Sequence, residues 1–293
     1  KSLARRHQLI MHERNLDGFK KLVCEVKQIN PDCMLLVQLT HSGQKSHPAF
    51  SEPVSICPVS KNGARTLSSD EIQQISIQFA ACALLCEKAG ADGVDFKMCH
   101  GYFGAEMLRP ANTRQDRWGG SFENRIRFLQ ETVASIWSRI NNKDFILGSR
   151  VSLYEAIRGG CGTADHDELI EDLAAMKQVI KTMHDLGMHY VNVSAGIPGE
   201  TSEVTRPVKG SERFVLHHLR YTKIVKAYLA ALHASMQTIG SAYSVLKQEG
   251  VYLADEIIQK GYSDFVGWGR QSFADPLMPV KLRDGDAVNW CTA

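Results

Sequence analysis

Apolar residues along the chain follow two alternating patterns, a helical spacing in some stretches and short continuous runs in others. Ser68 and Glu71 have the spacing of a helix-capping box, and apolar positions then recur at helical spacing as far as residue 90. A short, mostly apolar run over 94–97 follows at once and predicts a β-strand. The local order is therefore a helix that leads directly into a strand.

The same helix-then-strand unit recurs five more times. The predicted helices lie near 14–29, 121–141, 166–186, 213–231 and 252–260, and the strands that follow them lie near 34–38, 145–150, 190–194, 236–239 and 264–267. No hairpin turn chemistry joins these strands, and their apolar β-branched content is typical of a buried parallel sheet. The chain is therefore predicted to be an α/β protein.

Residues that could carry function stand at the carboxyl ends of the predicted strands, namely Gln38, Lys97, Arg150, Asn192, Gly240 and Arg270. Active sites of β/α barrels gather at this end of the strands, so a TIM-type (β/α)8 barrel is favoured over an open sheet. Only six of the eight units are visible. Either the first one or two βα units are missing from this chain, or the sheet is open.

Composition narrows the class of protein. The 293 residues are 44% hydrophobic, which is enough for a large core, and 34 basic residues balance 32 acidic ones without a dense cationic run. We therefore expect no nucleic-acid partner. No apolar run approaches the roughly 18 residues that span a membrane, and the eight cysteines lack a Cys-x-x-Cys pair, so we expect a cytoplasmic protein with reduced thiols. A homo-oligomer is left open.

Three side chains that handle protons lie close together just past the predicted strand over 94–97. They are the ammonium of Lys97, the imidazole of His100 and the phenol of Tyr102. Taken singly, each of these residues is more often structural than catalytic. Three such groups within six residues at a strand end indicate an active site.

The chain resembles the Old Yellow Enzyme family of flavin-dependent ene-reductases, and within it the branch that contains bacterial 2,4-dienoyl-CoA reductase. The resemblance runs in order from about residue 14 to the end. It is carried by the stretch 92–127, Gln38-Leu39-Thr40-His41-Ser42-Gly43, Arg150-Val151-Ser152, Asn192-Val193-Ser194-Ala195-Gly196 and Asp264-Phe265-Val266-Gly267-Trp268-Gly269-Arg270.

The resemblance implies an eight-stranded barrel that holds FMN without a covalent bond. NADH or NADPH would reduce the flavin, and hydride would then pass to the activated C=C bond of an α,β-unsaturated carbonyl or dienoyl compound. Tyr102 matches the family's proton donor, and His100 matches a residue that hydrogen-bonds the substrate carbonyl.

Lys97 departs from the family, because histidine is usual at its position. We hypothesise that its ammonium replaces histidine as a donor to the enolate oxygen and shifts preference toward acidic or strongly polarised substrates. The simpler alternative is a solvated lysine at a strand end.

The resemblance also implies which residues contact the flavin. Two would bind its pyrimidine ring, and two loops after the last strands would bind its phosphate. These residues are Gln38 and Arg150 for the ring, and Gly240, Ser241, Gly269 and Arg270 for the phosphate.

Both ends of the chain bear on its domain organisation. The related reductases continue past the position of Cys291 with cysteines that ligate a 4Fe-4S cluster, so residues 286–293 are expected to begin a truncated segment. One cysteine cannot hold a cluster, and a cluster is expected only if the native chain continues past Ala293. The family's first strand has no counterpart, so 1–293 is interpreted as one barrel domain that is incomplete at its N-terminus.

Two alternatives to an ene-reductase remain at this stage. A flavin-dependent amine dehydrogenase shares the barrel and the cluster-bearing tail. A non-catalytic flavin or ligand carrier is the second alternative, in which Lys97 and the missing front end have abolished turnover.

Overall fold

In the computed structural model, which describes residues 2–57 and 63–292, the main feature is a parallel sheet of six strands. The predicted domain covers 1–293 and the predicted segment covers 286–293. Their terminal residues, Lys1 and Ala293, lie outside the described residues. These six strands lie side by side in the order in which they occur in the chain. Their bounds are β1 Leu36–Leu39, β4 Gly93–Phe96, β5 Ile146–Ser152, β6 Tyr190–Ser194, β7 Gln237–Gly240 and β8 Phe265–Val266, with β2 Val54–Ser55 and β3 Arg65–Thr66 forming a separate parallel pair.

Helices separate successive strands of the sheet, so the predicted helix-then-strand order is confirmed. The helices are α1 Leu16–Ile29, α2 Ser69–Lys88, α3 Phe103–Leu108, α4 Phe122–Trp137, α5 Ala174–Asp185, α6 Ser202–Thr205, α7 Arg213–Ala231, α8 Lys247–Gln259, α9 Arg270–Ala274 and α10 Met278–Asp284. Every pair of neighbouring strands is parallel. The α/β architecture is that of a β/α barrel wall.

The capping box at the start of α2 forms as predicted. The Glu71 amide donates to Ser68 Oγ at 3.2 Å, and the Ser68 amide donates to Glu71 Oε2 at 2.8 Å. These bonds satisfy two backbone donors that the first turn of a helix leaves without partners. The sequence signal therefore fixed the helix start to the residue.

Two predicted helices begin at other residues. The helix expected from 166 begins at 174, because the preceding residues form a loop in which Thr163 bridges to Glu171 and the Asp172 amide donates to the Gly162 carbonyl at 2.8 Å. The helix expected from 252 begins five residues earlier, at Lys247. The strands β2 and β3 were not predicted, since two residues are too short to show a period.

The hydrophobic core lies between the sheet and its helices. Phe96 on β4 packs against Phe79 of α2 and Phe128 of α4, with ring centroids 4.9 Å and 5.9 Å away. Because side chains alternate along a strand, Asp95 and Lys97 lie on the opposite face, which is the inner face of the barrel wall. The polar strand residues of the candidate site share this inner face. In the described part of the chain, no helix is long and apolar enough to cross a membrane.

Candidate active site

The turn after β4 holds a left-handed backbone at two successive residues. His100 has φ of 64° and Gly101 has φ of 67°. Glycine tolerates this region, whereas histidine adopts it at a cost, so His100 must be held there by its surroundings. The His100 amide donates to Ser152 Oγ at 3.0 Å, and the Gly101 amide donates to Glu155 Oε1 at 2.9 Å. The end of β5 and the loop after it thereby fix the turn.

Lys97 and Tyr102 meet across this turn. The Lys97 ammonium lies 3.8 Å from the centroid of the Tyr102 ring. This is a cation–π contact, which holds the two side chains of the predicted trio together. Burial lowers the pKa of Lys97, and the charge of Arg150 lowers it further, while Cys99 and Asp95 act in the opposite direction.

His100 is tied to the neighbouring strands through Ser194. The imidazole Nε2 lies 2.8 Å from Ser194 Oγ, and Arg150 Nη2 donates to the same oxygen at 3.3 Å. Arg150 can only donate, so the Ser194 hydroxyl accepts from it, and the role of this hydroxyl toward His100 Nε2 depends on the imidazole tautomer. Burial lowers the pKa of His100 well below its usual value, and the charges of Arg150 and Lys97 lower it further, so the ring is neutral.

A second polar group lies lower on the inner face, around Asp95. Gln38 Nε2 donates to Asp95 Oδ1 at 2.9 Å, and the Tyr190 hydroxyl donates to Asp95 Oδ2 at 2.9 Å. Burial raises the pKa of Asp95, and both hydrogen bonds oppose that shift. Gln38, predicted as a flavin contact, is exposed and is oriented by this carboxylate.

Two buried polar atoms on the inner face have no hydrogen-bond partner among the described residues. They are Arg150 Nε and Asn192 Oδ1, on residues that stand opposite each other in the β5–β6 register. Buried donors and acceptors without partners are rare in native proteins. One unpaired donor beside one unpaired acceptor suits a ring that carries both a carbonyl and an N–H group, as the pyrimidine of a flavin does.

The two loops predicted to bind the flavin phosphate lie side by side. The Gly267 amide donates to the Gly240 carbonyl at 2.7 Å, which joins the ends of β7 and β8. Ser241 Oγ donates to the Val193 carbonyl at 3.1 Å, and no atom lies within 4 Å of a Cβ placed on Gly269. Arg270 Nη2 donates to the Pro207 carbonyl at 2.5 Å. The loops thus meet with open space beside Gly269.

A buried ion pair supports the turn, and the sequence analysis did not single it out. Glu155 is fully buried and accepts from Arg109 Nε at 2.7 Å. Burial lowers the pKa of Arg109, whereas the nearby Glu155 carboxylate raises it. The net effect is a raised pKa of Arg109. A glutamate five residues after the strand predicted near 145–150 was the available signal. Its partner lies 46 residues away, so the pairing had no local trace.

Cys291 lies apart from the trio, against α9. It is buried, and its amide donates to Gln271 Oε1 at 2.8 Å.

The inner face of the sheet is open at its last strand, where the Phe265 side chain is 56% exposed. Cavities of about 220 Å³ near Arg125 and 310 Å³ near Trp268 are lined by other residues than the trio.

Residues 2–289 match the sequence model of the NADH:flavin oxidoreductase / NADH oxidase family. The chain belongs to this family. The expected resemblance is therefore confirmed at the level of the family. FMN with NADH or NADPH is the cofactor set that this family uses, and the unpaired donor and acceptor on the inner face fit such a ring.

Among similar proteins, an NADH oxidase of Thermoanaerobacter brockii is 29% identical over 259 residues, which is 86% of this chain and 36% of that protein. The chain thus spans about a third of the length of this relative. A 2-naphthoyl-CoA reductase in complex with 2-naphthoyl-CoA superposes with a TM-score of 0.76 at 22% identity, over 98% of this chain and 43% of the other. Histamine dehydrogenase from Rhizobium sp. 4-9 gives 0.70 at 22% identity, over 94% and 37%. The two superpositions establish the barrel fold.

Proposed function

We propose that this protein is an FMN-dependent ene-reductase that uses NADH or NADPH to reduce the activated C=C bond of an α,β-unsaturated carbonyl compound. FMN, when bound, would supply the hydride carrier between the nicotinamide and the alkene. The observation that carries the proposal is the grouping of a neutral imidazole, an ammonium and a phenol at one strand end, on a turn held by the end of β5 and the loop after it.

His100 would act on the carbonyl oxygen of the substrate. A neutral imidazole carries one N–H donor, and negative charge grows on that oxygen as hydride reaches the β-carbon. Lys97 would add a second donor with a positive charge. Its cation–π contact with Tyr102 restricts the position of the ammonium without using its N–H groups on a carboxylate.

Tyr102 would hold a proton at its hydroxyl and deliver it to the α-carbon. A phenol is protonated at neutral pH, so it does not have to collect a proton before each turnover. Gln38, Arg150 and Asn192 would orient the pyrimidine edge of the flavin. The loops that contain Gly240, Ser241, Gly269 and Arg270 would hold its phosphate.

Amine dehydrogenation is the second candidate, because histamine dehydrogenase shares the fold. The charges of the inner face argue against it. An amine substrate is cationic at neutral pH, whereas Lys97 and Arg150 present positive charge at the site. Asp95, the acidic residue on this face, is already bonded to Gln38 and Tyr190.

The test is an anaerobic stopped-flow measurement on the FMN-loaded protein. We expect NADH or NADPH to bleach the flavin and cyclohexenone to restore its colour, with histamine unable to bleach it. A flavin that stays oxidised with both nicotinamides indicates a carrier, and bleaching by histamine indicates an amine dehydrogenase.

Residue roles are tested in the two half-reactions separately. Tyr102→Phe should slow reoxidation by cyclohexenone on the order of 10²–10⁴-fold and leave flavin bleaching unchanged, because general acid catalysis contributes about that much. Tyr252→Phe, which removes an exposed hydroxyl on α8, is the matched control. Lys97→Ala should slow the same step, and full ene-reduction in Lys97→Ala removes Lys97 from the mechanism.

A further inference from the structure

Ser194 joins a proposed flavin contact to a proposed substrate contact. It is the last residue of β6, and its side chain is fully buried. Its Oγ lies 2.8 Å from His100 Nε2, and Arg150 Nη2 donates to the same oxygen at 3.3 Å. The hydroxyl is thus a direct link between the two halves of the site.

The hydrogen of this hydroxyl needs an acceptor. A serine hydroxyl has one hydrogen to donate and two lone pairs that accept, and a guanidinium can only donate, so Arg150 occupies one lone pair of Ser194 Oγ. In the described part of the chain, His100 Nε2 is the other hydrogen-bond partner of this oxygen. Because Ser194 is 0% exposed, solvent and bound ligands do not reach the hydroxyl. Its hydrogen therefore has His100 Nε2 as its available acceptor.

The two neutral tautomers of His100 differ in what they leave unpaired. With the imidazole hydrogen on Nε2, Ser194 Oγ would accept from both Arg150 and His100, and the buried hydroxyl hydrogen would have no acceptor. With the hydrogen on Nδ1, Nε2 accepts from Ser194, and each of the three groups has a partner. A buried polar group without a partner is costly, so the second arrangement is favoured.

His100 Nδ1 is the ring nitrogen left for a substrate. Among the described residues it has no hydrogen-bond partner, and unlike His218 Nδ1 it is not sealed from solvent. The His100 amide donates to Ser152 Oγ at 3.0 Å, so the residue is held at its backbone as well as at Nε2. The ring is neutral, since burial in particular keeps its pKa well below the usual value. Nδ1 therefore presents either a donor or a lone pair, and the hydrogen bond at Nε2 sets which one.

We propose that Ser194 is a positioning residue whose hydroxyl donates to His100 Nε2, holds the imidazole hydrogen on Nδ1, and so makes Nδ1 the donor to the substrate carbonyl. The inference rests on the proposed function, which it deepens by assigning the donor atom. The other tautomer would turn a lone pair toward the carbonyl oxygen and repel the negative charge that grows there. Arg150 favours the donor orientation of Ser194, because a hydroxyl that accepts from a cation is a stronger donor.

Nitrogen NMR tests the tautomer without turnover. The FMN-loaded protein, labelled with ¹⁵N-histidine, is observed at neutral pH through long-range proton–nitrogen couplings, and the His100 signals are those that His100→Asn removes. Asparagine tolerates the left-handed backbone of this position, where φ is 64°. We expect His100 Nδ1 to show the shift of a protonated nitrogen and Nε2 that of an unprotonated one. A hydrogen on Nε2, alone or together with one on Nδ1, overturns the proposal.

Two variants separate the hydroxyl from the packing of this position. Ser194→Ala removes the donor, and Ser194→Thr keeps it. In Ser194→Ala the preference for the Nδ1 hydrogen should fall about tenfold, which is the scale of one hydrogen bond, and in Ser194→Thr it should persist. Ser138→Ala, which removes an exposed hydroxyl at the end of α4, should keep the parent spectrum. An Nδ1 hydrogen that is equally preferred in Ser194→Ala and in the parent overturns the role of Ser194.

The kinetic consequence is measured in the half-reaction with an enone. Reoxidation of the reduced flavin by cyclohexenone should be about tenfold slower in Ser194→Ala, close to the parent rate in Ser194→Thr, and unchanged in Ser138→Ala. A changed tautomer with an unchanged rate overturns the assignment of Nδ1 as the donor. An Nδ1 hydrogen that depends on Ser194, in a protein whose flavin no enone reoxidises, supports the positioning of His100 by Ser194 and refutes the ene-reductase.

Discussion

Glu155 offers the sharpest test of how the active-site turn is held. Its Oε1 accepts from the Gly101 amide at 2.9 Å and from Arg109 Nη2 at 3.2 Å, and its Oε2 accepts from Arg109 Nε at 2.7 Å and from the Cys161 amide at 3.1 Å. All four partners are donors. In Glu155→Gln the new NH₂ group therefore faces two donors in either orientation of the amide. Arg109 keeps its positive charge, although only 8% of its side chain is exposed.

Breaking a buried ion pair by neutralising one partner costs about 3–5 kcal/mol, because the other charge stays buried. We expect Glu155→Gln to lower the free energy of unfolding by about this amount in urea titrations followed by circular dichroism. Arg109→Met combined with Glu155→Gln should lose less than the sum of the single changes.

The matched control is Glu256→Gln, which neutralises one partner of the exposed pair with Lys260 on α8. Surface pairs of this kind contribute little, so its unfolding curve should overlay that of the parent. The reasoning is refuted if Glu155→Gln unfolds at the same urea concentration as Glu256→Gln. Retained stability with lost ene-reduction would show that Glu155 positions the turn without stabilising the fold.

Three further predictions concern stability. Gly148→Ala should destabilise the sheet by about 1–3 kcal/mol in urea, as overpacking does, because its Cβ would lie 2.1 Å from the Tyr190 ring; an unchanged midpoint would contradict this packing. Ser68→Ala should cost about 1 kcal/mol by removing the cap of α2, and Ser68→Asp, which can still cap, should not. Burial lowers the pKa of His41 and of His218 to about 4, so below their unfolded pKa near 6.5 the unfolded state gains protons that the native state does not. Each should lower stability by about 2 kcal/mol between pH 6.5 and 5, and because His100 is also buried with a lowered pKa, His218→Gln should reduce the slope by about a third.

Local signals in the sequence predicted the elements more reliably than their ends. The bounds of α7 at 213–231 and β6 at 190–194 agree with the prediction to the residue. The late start of α5 shows the limit, because tertiary bonds hold residues 163–172 as a loop although their spacing is compatible with a helix.

The sequence by itself determined the order of helices and strands, the family, and the three residues that lie together at one strand end, because each is encoded in a short contiguous pattern. The tertiary structure decided what those residues can do. The neutrality of His100 depends on its burial and on the charge of Arg150, and the position of its turn depends on Glu155. Burial and hydrogen bonds between distant strands set these properties, and neither is a function of neighbouring residues in the chain.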